Sequence, residues 1–279
     1  MQIASGGVTN VGRVRTNNED CFQIVAPLGL FVLSDGMGGE AHGEVASALA
    51  VETVVKYCSG PEDAEATMIF SDTPAAWTEK TKRLTNAVHL ANKSIFDSAQ
   101  NHQEQRGMGA TITAAWIDGP KLSVAHVGDS RAYLLRSGNL QQLTSDHSLV
   151  AEQVRRGILT QAEAERSEMQ SVLLRALGAH AEIEVDTEEH TLFDRDVLVL
   201  CSDGLTRMIT EPEIAGTLQA ELDPAKAAER LVELANEQGG ADNVTVIVIR
   251  LGEQPKGWFS WLRRGTRKEA ESNGAAGGK

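Results

Sequence analysis

Leu30-Phe31-Val32-Leu33-Ser34-Asp35-Gly36 and Val197-Leu198-Val199-Leu200-Cys201-Ser202-Asp203-Gly204 share one plan, a short apolar run that ends in Ser-Asp-Gly. Four or five consecutive apolar residues bounded by small and acidic ones read as a strand. Each stretch therefore carries a carboxylate to a strand tip. The glycine that follows has no side chain, so the backbone can turn sharply there and its carbonyl can approach an ion closely. Similar runs at residues 121–127, 131–135 and 244–249 predict further strands, and the strand of the second stretch spans 196–201. Between them lie helical patterns: Val51, Val54, Val55 and Cys58, then Leu84, Ala87, Val88 and Ala91, both at i, i+3, i+4, i+7. Thr210 and Glu213 have capping-box spacing, and Asp223-Pro224 sets an N-cap before a first-turn proline, with Gly239 as the stop. The order is not a regular βαβ alternation. Tight turns at Gly128-Asp129-Ser130 and Ser137-Gly138-Asn139 predict antiparallel sheets with helices packed outside them, a layered α+β domain.

The 279 residues carry a formal net charge of −13, which opposes binding to a phosphate backbone and argues against a nucleic-acid partner. With 41% hydrophobic and 23% charged residues the chain can build a core. Three cysteines at 21, 58 and 201 are odd in number and form no CxxC pair, so they read as reduced, buried thiols. No leader-like N-terminus and no transmembrane run of about 18 apolar residues is visible, which sets the cytoplasm as the expected compartment. Residues 1–252 are expected to form one domain. Within it the polar, Glu-rich stretch 148–170 is expected as a flexible flap, or else an ordinary pair of surface helices. Residues 253–279 are expected to be a disordered tail, rich in Gly, Lys, Arg, Ser and Ala. Its segment Gly257-Trp258-Phe259-Ser260-Trp261-Leu262-Arg263-Arg264 either contacts a membrane surface or partner or is simply solvated.

Two more aspartates share the strand-end placement, Asp129 between two predicted strands and Asp242 just before the last. A single Asp-Gly pair is usually only a turn. Four carboxylates brought to one sheet edge would instead repel each other unless cations filled the gap. Oxygen ligands without His or Cys suit Mg²⁺ or Mn²⁺ and not zinc. Near the start, Arg15 precedes Glu19-Asp20 by four residues. Its fork can grip a phosphate with two parallel hydrogen bonds, or it is a solvated surface arginine. A serine-esterase reading of Gly128-Asp129-Ser130 fails for want of a later base, because the last histidine is His190 and no Asp-x-x-His follows it.

Taken in order, Val14-Arg15-Thr16-Asn17-Asn18-Glu19-Asp20, Asp35-Gly36-Met37-Gly38-Gly39, Gly128-Asp129-Ser130-Arg131, Ser202-Asp203-Gly204 and Asp242-Asn243-Val244-Thr245 resemble the motifs of the PPM family, the type 2C protein phosphatases. The match runs over about residues 5–251. Gly107-Met108-Gly109, Leu143-Thr144 with Asp146-His147-Ser148-Leu149, and Arg175-Ala176-Leu177-Gly178 are similar to the family's bacterial branch.

The resemblance implies a four-layer α-β-β-α sandwich and a metal-dependent phosphatase acting on phosphoserine and phosphothreonine in proteins. It implies two tightly bound Mn²⁺ or Mg²⁺ ions and a weaker third. Asp35 would bridge the tight pair, the Gly36 carbonyl would bind the first ion, and Asp203 and Asp242 the second. Asp129 with Asp203 would hold the third, Glu19 and Asp20 would hold water beside the ions, and Arg15 would bind the substrate phosphate. Water activated between the ions would attack directly, without a phosphoenzyme. Implied partners are phosphorylated proteins, including a serine/threonine protein kinase and its substrates, met by a monomeric enzyme. The sequence departs from the family at the proposed general acid. Met37 and Glu40 stand where relatives carry histidine, which leaves His42 or a metal-bound water to protonate the leaving oxygen. A relative that has lost its metals and survives as a binding module is the non-enzyme alternative, opposed by the presence of Asp35, Asp203, Asp242 and Arg15.

Overall fold

The structure, a computed structural model, describes residues 1–38, 42–61, 74 and 76–252. The segment 253–279, with its Trp/Arg cluster, and Glu40 lie outside the described residues.

Two antiparallel sheets make the frame. The first joins β1 (Ile3–Asn10), β11 (Val244–Leu251), β10 (Val197–Cys201), β7 (Arg131–Arg136) and β8 (Asn139–Gln142) in that order. The second joins β2 (Asp20–Val25), β3 (Leu30–Met37), β5 (Ile112–Asp118), β6 (Lys121–Val127) and β9 (Asp186–Thr191), with the two-residue β4 (Gly109–Ala110) added to the end of β3. Helices α1 (His42–Ser59) and α2 (Glu79–Asn101) cover the second sheet. The first is covered by α5 (Asp203–Thr206), α6 (Glu211–Ala220) and α7 (Pro224–Glu237). Two short helices, α3 (Leu149–Arg155) and α4 (Gln161–Ala164), fill the 148–170 stretch. The result is the expected α-β-β-α sandwich.

Three apolar layers explain why the central strands read as unbroken hydrophobic runs instead of alternating ones. In β3, Leu30 and Val32 face the helices, whereas Phe31 and Leu33 face the other sheet. In β10, Val197, Val199 and Cys201 pack under α6 and α7, and Leu198 and Leu200 enter the inter-sheet layer. β11 divides in the same way, with Val246 and Val248 on one side and Ile247 and Ile249 on the other. Each such fully buried side chain contributes about 1.5–3 kcal/mol.

The helix ends follow their sequence signals. Glu213 accepts hydrogen bonds from the Thr210 N–H and Oγ1, both at 2.8 Å, and Asp223 Oδ1 accepts from the Ala225 N–H at 2.9 Å. Two features differ from the sequence reading, the segment around Asp129 and the exposure of Cys21, while the second tight turn forms as read. Gly128-Asp129-Ser130 is not a hairpin turn, because β6 and β7 belong to different sheets, so it carries the chain across the sandwich. Ser137-Gly138 does form a two-residue hairpin between β7 and β8, both residues at positive φ, 51° and 85°. Cys58 and Cys201 are buried, but Cys21 is partly exposed because β2 is an edge strand.

Candidate active site

Strands β3 and β10 lie in opposite sheets, yet their acidic ends meet at one end of the sandwich. Asp35 sits within β3, paired across the ladder with Asp20 at the start of β2. Asp203 opens α5 directly after β10, Asp129 lies on the crossing between the sheets, and Asp242 precedes β11. A cleft of about 770 Å³, in the range of ordinary ligand pockets, is lined by Asp35, Asp129, Asp203 and Asp242 together with Arg15 and Glu19.

The glycines beside the aspartates serve close packing and not turning. Gly36 continues β3, where a Cβ would stand 2.0 Å from the Gly43 carbonyl oxygen. A Cβ on Gly204 would likewise stand 2.0 Å from the Asn243 carbonyl oxygen. Asn243 in turn fastens the N-terminal loop, donating from Nδ2 to the carbonyls of Val11 (3.0 Å) and Asn17 (2.9 Å) and accepting from the Glu19 N–H (2.8 Å). That loop carries Arg15 and Glu19 to the cleft.

Beneath the cleft Asp20 is buried, and its Oδ2 accepts from Ser202 Oγ (2.8 Å) and Thr245 Oγ1 (2.6 Å). The Asp35 N–H donates to Thr111 Oγ1 at 2.9 Å, and the Asp35 carbonyl accepts from the Thr111 N–H at 2.8 Å. These hydroxyl supports escaped the sequence reading as roles, although Ser202 and Thr245 stand within its quoted motifs.

The acids push one another toward the protonated state. Burial, then the charges of Asp20, Asp203, Asp129 and Asp242, raises the Asp35 carboxyl well above its usual range. Burial brings Asp20 to about 7 against the pull of its two hydroxyl donors, and brings Asp129 to about 7, with the charge of Asp203 adding to it and Arg207 opposing it. Burial also raises Asp203, opposed by Arg207. Such a group of carboxylates calls for positive charge.

Two arginines supply part of it. Arg15 grips Asp242 with both prongs, Nε to Oδ1 at 2.9 Å and Nη2 to Oδ2 at 3.0 Å. The expected phosphate ligand is thus paired with an expected metal ligand. Arg207, which the sequence reading missed, binds Asp203 and reaches Asp129 Oδ2 at 3.5 Å and Asp242 Oδ2 at 4.0 Å. Its signal was the i, i+4 spacing from Asp203 on a helix. Among the described residues no three His, Cys, Asp or Glu side chains form a ready-made metal cage.

The donor set nevertheless fits a hard divalent cation. It is carboxylate and carbonyl oxygen throughout, and Asp20 Oδ1 and Asp203 Oδ1 are buried without a hydrogen-bond partner. His42 opens α1 and is not among the residues lining the cleft.

Comparison with known proteins agrees with this architecture. Residues 12–239 match the Protein phosphatase 2C family. The chain is 36% identical over 261 residues to the serine/threonine phosphatase stp of Listeria welshimeri, covering 89% of this chain and 96% of that one. It resembles the crystal structure of the Mycobacterium tuberculosis serine/threonine phosphatase PstP/Ppp with a TM-score of 0.79 and 35% identity, over 90% of this chain and 99% of that one. A structure of the PstP catalytic domain in complex with two manganese ions is similar at a TM-score of 0.76 and 35% identity, with the same coverage. The sequence match and the likeness to solved structures agree, and the chain belongs to the protein phosphatase 2C family.

Proposed function

We propose that this chain, a phosphoprotein phosphatase by family, removes phosphate from phosphoserine and phosphothreonine in proteins with Mn²⁺ or Mg²⁺ as cofactor. The observation that carries the proposal is the convergence of Asp20, Asp35, Asp129, Asp203 and Asp242 from both sheets beneath one open cleft that also presents two guanidinium groups. Asp35, the Gly36 carbonyl, Asp203 and Asp242 would hold two tight ions, and Asp129 with Asp203 a weaker third. When bound, such ions lower the pKa of water and offset charge on the phosphoryl oxygens.

The chain's own groups orient the rest. Arg15, with its side chain 53% exposed at the cleft, exchanges the carboxylate of Asp242 for a phosphoryl edge of similar two-oxygen shape. Asp20, held at Oδ2 by Ser202 and Thr245, keeps a buried Oδ1 without a hydrogen-bond partner and would order water, with Glu19 beside it. Direct hydrolysis without a phosphoenzyme is supported by the cysteines. None lines the cleft, and burial raises the thiols of Cys58 and Cys201 to about 12.

Residues 1–252 would act as the whole catalytic domain, monomeric and cytoplasmic, opposing a serine/threonine protein kinase. No helix among the described residues is long and apolar enough to cross a membrane. The test is hydrolysis of a phosphothreonine peptide, expected with Mn²⁺ or Mg²⁺, absent in excess EDTA and not restored by zinc. Full activity in EDTA would overturn the metal-dependent reading. Metal binding without turnover would leave a binding module.

A further inference from the structure

Asp129 and Asp203 are the pair assigned above to a weak third ion, and a positive charge of the chain's own already lies between them. Arg207 caps the end of α5, one turn beyond Asp203, where its N–H donates to the Asp203 and Leu205 carbonyls. From that anchored backbone a single guanidinium nitrogen, Nη2, contacts Asp203 Oδ2 and lies 3.5 Å from Asp129 Oδ2. The side chain is 24% exposed, and the two carboxylates are 12% and 9% exposed, so all three charges interact away from bulk solvent. Arg15 cannot supply this charge, because both of its prongs are engaged with Asp242.

We propose that Arg207 is a tethered counter-cation of the Asp129–Asp203 pair, so that a third metal ion must displace it or bind beside it and the weakness of that site is set by this arginine. The inference rests on the proposed metal assignment above. A cation tethered one helical turn from one of its two partners competes at a high effective concentration. It also neutralises the pair when metal is scarce, which makes Arg207 a positioning residue for Asp129 and Asp203.

The test is calorimetric titration of Mn²⁺ into the metal-stripped full chain and its Arg207→Gln, Arg207→Ala and Arg207→Lys variants. Wild type is expected to bind two ions tightly, with a weak further event or none. In Arg207→Gln and Arg207→Ala that event should tighten on the order of tenfold or more, since one like charge within a few ångströms has been removed, while the two tight events persist. Arg207→Lys keeps the charge and should stay close to wild type. Thermal unfolding gives a second readout. In EDTA the Gln variant should melt below wild type, with the gap closing at saturating Mn²⁺. A weak event equal in all four proteins, together with an EDTA melting point that does not respond to the substitution, overturns the inference and leaves the two-ion reading intact. Failure of wild type to bind any Mn²⁺ overturns both.

Discussion

Thr245→Val removes one hydroxyl and leaves the shape of a fully buried side chain. Hydrogen bonds leading to that hydroxyl run in one direction. Asn18 Nδ2 donates to Thr9 Oγ1 at 2.8 Å, Thr9 lies 2.7 Å from Thr245 Oγ1, and Thr245 donates to Asp20 Oδ2 at 2.6 Å. Because the Thr245 proton points at the carboxylate, Thr9 must be the donor to Thr245. Valine breaks the chain at its inner end and leaves Asp20 with Ser202 as its only hydroxyl donor. A hydrogen bond to a charged group contributes about 1.5–3 kcal/mol, so a loss of about 2 kcal/mol is expected where Asp20 is ionised. In a domain of this size that corresponds to a fall in Tm of about 4–8 °C. The same bond pulls the Asp20 carboxyl down against burial, so the variant should hold its proton to higher pH and bind Mn²⁺ more weakly. Urea denaturation with Mn²⁺ at pH 7.5, repeated in EDTA at pH 5.5 where Asp20 is protonated, checks both points. The loss should be larger in the first condition. A variant with an unchanged urea midpoint and unchanged Mn²⁺ affinity would refute the view that this buried threonine supports Asp20.

Asp35→Asn should abolish the tight metal pair and lower turnover by several orders of magnitude, read by calorimetry and peptide hydrolysis. Undiminished activity would mean that Asp35 is no bridge. Arg15→Ala should raise KM for a phosphopeptide more than it lowers metal affinity, with Lys a partial rescue because it lacks the fork, and unchanged kinetics would remove Arg15 from substrate binding. Gly204→Ala should cost about 1–3 kcal/mol by driving a methyl group into the Asn243 carbonyl, and it should loosen the loop that bears Glu19. Thermal melting would show the cost, and wild-type stability would deny the close approach. The metal-free protein should gain stability on acidification. Asp20 and Asp129 have folded values of about 7 against an ordinary 3.8, so their contribution is fully present below 3.8 and is lost as pH rises through about 7. In EDTA, urea midpoints should therefore rise from pH 7.5 to pH 5.5, and a fall across that window would contradict the burial of these acids.

Much of this molecule is legible in the chain itself. The runs at 30–33 and 197–201 announce strands because side chains on both faces of a central strand must be apolar, and no other common element needs so short a continuous run. Helix caps at Thr210 and Asp223 are local hydrogen-bonding events, so spacing alone shows them. Strand β9, with sequence Asp-Thr-Glu-Glu-His-Thr, escaped because it is a sheet edge, where charge is tolerated and protective and no apolar pattern forms. The aspartates were legible as a set through their repeated flanks, but their meeting place was not. Asp129 read as the tip of a hairpin because two strands flank it, and only the sheet order shows the chain crossing from one layer to the other there. Arg207 lies outside the motifs read from the sequence. Its contact with Asp203 is local, whereas its reach to Asp129 exists only because β6 and β10, far apart in sequence, end on the same side of the sandwich. Local hydrogen bonding and burial pattern are written residue by residue, but which charges face one another depends on the packing of two sheets, and that is decided by the fold as a whole.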